Sequence, residues 1–91
     1  MDEATIRQQL ADLSGWTLDG GMLRKTYTFK NFVAAMAWVT HVAFLAEAHG
    51  HHPDIDIRYN RVTLALVTHD AGNMVTHKDI DLARAIEQIG A

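Results

Sequence analysis

The segment 32–48 carries neither glycine nor proline, is rich in alanine, and repeats apolar side chains at three- and four-residue intervals through Phe32, Met36, Val39, Ala43 and Ala46. A pattern of that length and period specifies one long central helix. Asn31 before it suits an N-cap, and Gly50 after it suits the left-handed residue that ends many helices. Such a helix needs an apolar surface to cover, and the flanking sequence supplies strands. Residues 16–19 and 22–29 are rich in strand formers and flank Gly20-Gly21, whose freedom at positive φ suits a tight hairpin. In the second run Leu23, Lys25, Tyr27 and Phe29 share one face, opposite Arg24, Thr26 and Thr28.

After Pro53 the run Ile55-Asp56-Ile57-Arg58-Tyr59 alternates, and 62–68 puts Val62, Leu64 and Leu66 on one face, with Asn60-Arg61 as the turn between them. A first helix over 3–13 follows from Ile6, Leu10 and Leu13, with Gly15 closing it. Thr76 followed by Asp79 resembles a capping box with aspartate in the acidic position, and Ile80, Ala83, Ile86 and Ile89 mark a last helix. The order α-β-β-α-β-β-α predicts an α+β fold, a four-stranded antiparallel sheet with helices packed on one face. The 91 residues suffice for one core, so 1–91 is expected to be a single domain.

Six histidines stand out in so short a chain, three of them within 49–52. A two-residue turn at Asn60-Arg61 would set Tyr59 opposite Val62, Ile57 opposite Leu64 and Ile55 opposite Leu66, three apolar pairs on the covered face. Carried to the end of the ladder, that register sets His52 opposite His69, with Cβ atoms about 4.5–5.5 Å apart. His51 would lie beside them, just past the end of the central helix. Imidazoles exchange protons near neutrality, so His51, His52 and His69 converging on one ligand point to acid–base chemistry. His41 inside the helix, His49 in its last turn and His77 at the start of the final helix are read as structural.

Other chemistries fit less well. Without cysteine, disulfide scaffolds, thiolate metal sites and cysteine nucleophiles are excluded. A metal could use His49, His51 and His52 with Asp54 or Asp56, but adjacent histidines in an extended segment point to opposite sides, so no metal is expected. Ser14 sits in no nucleophile-elbow pattern, and Gly20-Gly21 fits no phosphate-binding loop. The net charge of -3 argues against direct nucleic-acid binding. The acidic start MDEATIRQQL is unlike a secretory signal and no stretch approaches the length of a membrane span, which together point to the cytoplasm and away from a membrane.

Glu47-x-x-x-His51-His52-Pro53, then Tyr59, His69 and Asp79, resembles the signature of the pterin-4a-carbinolamine dehydratases, also called 4a-hydroxytetrahydrobiopterin dehydratases. Gly15-Trp16, Phe29-Lys30-Asn31-Phe32, Ala46-Glu47 and Asp79-Ile80-Asp81-Leu82-Ala83 are also similar to family sequences, so the resemblance spans nearly the whole chain. It implies dehydration of a tetrahydropterin 4a-carbinolamine, the pterin product of aromatic amino acid hydroxylases, to quinonoid dihydropterin and water. The pterin would be substrate, and no cofactor would be needed. It implies His51 and His69 as the principal acid–base pair, with His52 a second acid or an orienting group.

The same carry-over makes Gly50, Val67, Thr68 and Asp70 lining residues of the pterin pocket, with Pro53 stiffening the exit from the histidine pair. Glu47 would support a histidine or contact the pterin, or else be a solvated helix residue, and Asp79 would cap its helix. Some relatives have lost the histidines and serve as assembly factors, whereas this chain keeps all three; some members of the family act as dimerisation cofactors of transcription factors. An aromatic amino acid hydroxylase is the implied metabolic partner. A small sheet with free edges invites a homo-oligomer, a dimer through sheet edges or a tetramer through helix contacts.

Overall fold

The computed structural model describes residues 1–90. Its elements run α1 (Glu3–Gln9, continued by a 3-10 turn over Leu10–Asp12), β1 (Thr17–Asp19), β2 (Met22–Thr28), α2 (Phe32–His49), β3 (Asp54–Arg58), β4 (Arg61–Leu66), a 3-10 turn over His69–Ala71, and α3 (His77–Ile89). The strands form one antiparallel sheet in the order β1-β2-β4-β3. This is the α+β arrangement the sequence predicts.

Alternation along the strands decides where the core lies. Leu23 and Tyr27 of β2 and Val62, Leu64 and Leu66 of β4 share a face, and are buried with Ile6 of α1, Trp38 and Val42 of α2, and Ile80, Ala83 and Ile86 of α3. On the opposite face Thr26 and Thr63 oppose each other, their hydroxyl oxygens 2.8 Å apart. Lys25 shares the apolar face, and burial of its stem is offset by a carboxylate. Trp16 Nε1, Lys25 Nζ and Tyr27 Oη all donate to Glu87 Oε1, at 2.9, 2.5 and 2.7 Å. Burial, then the Glu87 charge, pushes the Tyr27 phenol far up; burial alone would also raise Glu87, but its three donors outweigh it and hold that carboxyl low.

Three expectations need correction. The turn between β3 and β4 is Tyr59-Asn60 rather than Asn60-Arg61, so Ile55 faces Leu64, Ile57 faces Val62 and Arg58 faces Arg61. Tyr59 takes the left-handed conformation (φ 54°), and Asn60 is anchored by its own contacts, its amide donating to Phe29 O and its carbonyl accepting from Phe29 N–H, both at 2.8 Å. The displacement is two residues, which preserves face parity, so the isoleucines stay with the apolar side chains.

The core stripe of α2 is Ala35, Trp38, Val42 and Ala46; of the expected positions Phe32, Met36 and Ala43 are exposed. The helix is apolar almost all round, so periodicity alone does not select a face. By length and composition α2 would also suffice to cross a membrane, contrary to the expectation from sequence. Here it serves as the core helix of a compact α+β fold, packed on the sheet and on α3.

Candidate active site

Three chain segments end at the same margin of the sheet. The first is the C-terminus of α2, where Gly50 (φ 60°) lets Gly50 N–H reach Glu47 O and His51 N–H reach Ala46 O, both at 3.1 Å. That pair of bonds is a Schellman closure, and it fixes the backbone at the first histidine of the doublet. The second is the end of β4, running through buried Val67 and Thr68 into the 3-10 turn at His69. The third is the N-terminus of α3, with Thr76 as N-cap and the capping box with Asp79 complete.

Gly50, His51, His52, Thr68, His69, Asp70 and Lys78 line one cleft of about 160 Å³ there. The three histidines meet, though not by cross-strand pairing. The β3–β4 ladder ends at Asp54 opposite Ala65, before His52 and His69, so the predicted His52–His69 pair does not form. Both residues lie in the segments that leave the ladder at this margin. Glu47 is at the cleft's edge through His52, whose Nε2 donates to Glu47 Oε1 at 2.5 Å on an exposed surface. Pro53 and Val67 flank the lining residues without belonging to them.

Asp79 is the centre of the site's polar network. It is fully buried. His51 Nε2 donates to its Oδ1 at 2.5 Å, while Thr68 Oγ1 and Thr76 N–H donate to its Oδ2, each at 2.9 Å. Thr68 Oγ1 also lies 2.7 Å from Thr76 Oγ1. A carboxylate only accepts, so the proton in the His51 contact sits on Nε2, and in the neutral ring Nδ1 is the unprotonated nitrogen. Such a partner fixes ring orientation and stabilises an imidazolium while it forms. The Thr68 hydroxyl is thereby used within the protein, and so is its backbone, the N–H donating to Met74 O at 2.9 Å and the carbonyl accepting from Ala71 N–H at 3.2 Å.

From the sequence Asp79 is a helix cap and a member of the family signature, with no partner among the histidines, and Lys78 carries no signal. A Thr-x-x-Asp cap offers two carboxylate oxygens, and the second was available to any donor near the start of α3. Lys78 sits beside Asp79 in the first turn of that helix and is one of the residues that line the cleft. His41, His49 and His77 are exposed and lie outside the cleft. A larger cleft of about 380 Å³ lies between α1, the β1–β2 hairpin and the 73–75 segment, lined by Met1, Ile6, Leu18 and Met74 among others. It contains no histidine and is walled mainly by apolar groups, so size does not identify the chemical site.

Residues 1–89 match the family model described as pterin 4 alpha carbinolamine dehydratase. A chain from Chloroflexus aurantiacus, provisionally named a pterin-4-alpha-carbinolamine dehydratase, is 60% identical over 89 residues, covering 98% of this chain and 95% of that one. A similarly named chain from Thermomicrobium roseum is 52% identical over 91 residues, covering 100% and 97%. Among solved structures, the transcriptional coactivator/pterin dehydratase from Brucella melitensis superposes with a TM-score of 0.91 at 34% identity, covering 100% of this chain and 98% of that one. A pterin dehydratase-like protein identified as a RuBisCO assembly factor in the alpha-carboxysome shares the fold at a TM-score of 0.70 and 21% identity, covering 85% and 90%.

Proposed function

The chain belongs to the pterin-4-alpha-carbinolamine dehydratase family, and on that footing we propose that it converts 4a-hydroxytetrahydrobiopterin to quinonoid dihydropterin and water. The observation that carries this proposal is the convergence of His51, His52 and His69 on one cleft, with His51 held by the buried carboxylate of Asp79. The reaction breaks the C4a–O bond and the N5–H bond and forms the C4a=N5 double bond. One group must give a proton to the departing hydroxyl, and another must take the proton from N5. His51 and His69 fill these two roles, and His52, braced by Glu47, orients the substrate or supplies a second acid. Gly50, Thr68 and Asp70 form the wall that meets the edge of the pterin ring, and Pro53 and Val67 stiffen the segments that carry them.

This chemistry needs neither a metal nor a redox cofactor, because it is an elimination of water in which the hydroxyl leaves C4a, a proton leaves N5 and no net oxidation or reduction occurs. An aromatic amino acid hydroxylase is the class of enzyme that supplies the substrate, and a cytoplasmic setting suits a cysteine-free chain. The deciding assay generates the 4a-hydroxypterin with such a hydroxylase and follows its absorbance. Decay should accelerate in proportion to added protein. Decay at the spontaneous rate at every protein concentration would exclude a working dehydratase. Single replacement of His51 or His69 by alanine should each slow turnover by about 10² or more with little change in folding.

A second reading, a non-catalytic assembly or coactivator module of the same fold, draws on a different observation. The outward face of α2 exposes Val33 and Phe44, 76% and 72% accessible, as an apolar stripe without a partner in the single chain. Self-association through that stripe, giving a dimer or tetramer, is compatible with either function. The intact histidine cluster favours the enzyme, since a scaffold has no physical need to keep three imidazoles in one cleft.

A further inference from the structure

The loop after β4 passes through the 3-10 turn His69–Ala71, then Gly72 and Asn73, before the Thr68–Met74 bridge closes it. Asn73 has a φ of 60°, a left-handed conformation that asparagine enters more readily than other residues with a side chain, glycine apart. Gly72 N–H and Asn73 N–H both donate to His69 O, at 3.1 and 3.4 Å, which folds the loop back on the histidine. Asn73 Oδ1 then lies 2.8 Å from His69 Nδ1. An amide oxygen only accepts, so Nδ1 is the ring nitrogen that carries the proton.

The three imidazoles of the cleft are therefore not equivalent. His51 and His52 each commit Nε2 as a donor to a carboxylate. His69 commits Nδ1 as a donor to a neutral amide, and in its neutral form keeps an unshared pair on Nε2, which has no partner among the described residues. A ring held this way accepts a proton at Nε2 without first having to change tautomer. We propose that Asn73 is a positioning residue that locks His69 as the Nδ1–H tautomer and so makes His69 Nε2 the proton acceptor of the site. Which proton it accepts, that of N5, rests on the dehydratase proposal; the tautomer lock itself does not.

The direct test is ¹⁵N NMR of the imidazole rings of the intact protein, at a pH where His69 is neutral. Wild-type His69 should show a protonated Nδ1 and an unprotonated Nε2. Asn73→Gly keeps access to the left-handed backbone and removes the acceptor, and His69 should move towards the Nε2–H form. Asn73→Asp restores an oxygen acceptor at a position aspartate tolerates, and the Nδ1–H form should return. A wild-type His69 protonated at Nε2, or an Nδ1–H form unchanged in Asn73→Gly, overturns the proposal. In the dehydratase assay Asn73→Gly should lower kcat about fivefold, the loss expected from one neutral hydrogen bond, with KM unchanged. An unchanged kcat in active protein overturns the acceptor role. A wild-type protein without dehydratase activity overturns the functional proposal instead, and leaves the tautomer lock to be decided by the ring shifts.

Discussion

His51 Nε2 and Asp79 Oδ1 are 2.5 Å apart, and the other oxygen of the same carboxylate caps α3. One buried side chain thus ties the histidine that follows α2 to the first turn of α3. Asp79→Asn cannot serve both sides, because an amide has one accepting oxygen and one donating nitrogen. If the nitrogen faces His51, the ring must switch tautomer; if it faces the cap, Thr76 N–H and the Thr68 hydroxyl lose their acceptor. The expected outcome is a kcat at least about 10²-fold lower, with a loss of about 1 kcal/mol in stability. Steady-state kinetics and thermal melts on the same preparation check both, and near-normal turnover would remove Asp79 from the mechanism.

Glu87 provides the fold's clearest acid-sensitive contact. Its carboxyl is held below the ordinary range: burial opposes ionisation, and the donors Lys25, Tyr27 and Trp16 outweigh that cost. A carboxyl whose folded value lies below its unfolded one contributes its full stabilisation above the unfolded value and loses it as pH falls through the folded one. Glu87→Gln gives up charge-assisted bonds worth about 2 kcal/mol together, so its Tm near neutral pH should be lower by roughly 10 °C. The gap between wild type and variant should shrink as pH falls below the ordinary glutamate range and through the depressed folded value, where wild-type Glu87 itself protonates. Calorimetry across that range decides it, and a gap independent of pH would mean that the charge contributes nothing.

Tyr59 holds a left-handed conformation, φ 54°, at the turn between β3 and β4, and its side chain is 66% exposed. A residue with a Cβ is strained there by about 1–2 kcal/mol, and glycine removes the strain while adding freedom to the unfolded chain. The net expectation for Tyr59→Gly is a gain of about 0.5 kcal/mol and a Tm higher by a few degrees. A lower Tm would show that the exposed ring makes a compensating contact, for instance in an oligomer.

That turn also marks where the sequence stops being legible. A tyrosine gives no sign of positive φ, whereas Asn60-Arg61 carries a weak turn signal, so the register the sequence predicts differs from the observed one by two residues. Because strands alternate with a period of two, an even error leaves every apolar residue on its proper face, and the α+β fold was recoverable despite it. The histidines were legible for a different reason: the His51-His52 doublet, Tyr59 and His69 carry a family pattern whatever the register. The cap made by Asp79 was legible too, but its bond to His51 was not, nor were Asn73 and Lys78, because each of these acts through a spatial relation between loop or helix ends that no spacing rule encodes. On α2 the failure was one of contrast, since a helix apolar on nearly every side does not reveal which side is inside.

The outward stripe of that helix leads to a prediction about assembly. Val33, Met36 and Phe44 lie at helical spacing and are 76%, 37% and 72% exposed, and Phe32 beside them is 49% exposed. Large apolar side chains gathered on one exposed helix face are rarely left open to water and usually mark an interface. A second copy of the chain is the simplest occupant, because one helix stripe packed against its symmetry mate is self-complementary, and the free edge of β3 offers a further pairing surface. Light scattering on dilute protein should therefore give a multiple of the 10.1 kDa chain mass. Phe44→Glu places a charge in the middle of the stripe and should lower that mass while the circular dichroism spectrum stays unchanged, because Phe44 makes no core contact in the single chain. A wild-type protein that scatters as a monomer would contradict the prediction. So would a Phe44→Glu variant whose mass does not change, since the contact would then lie on another surface.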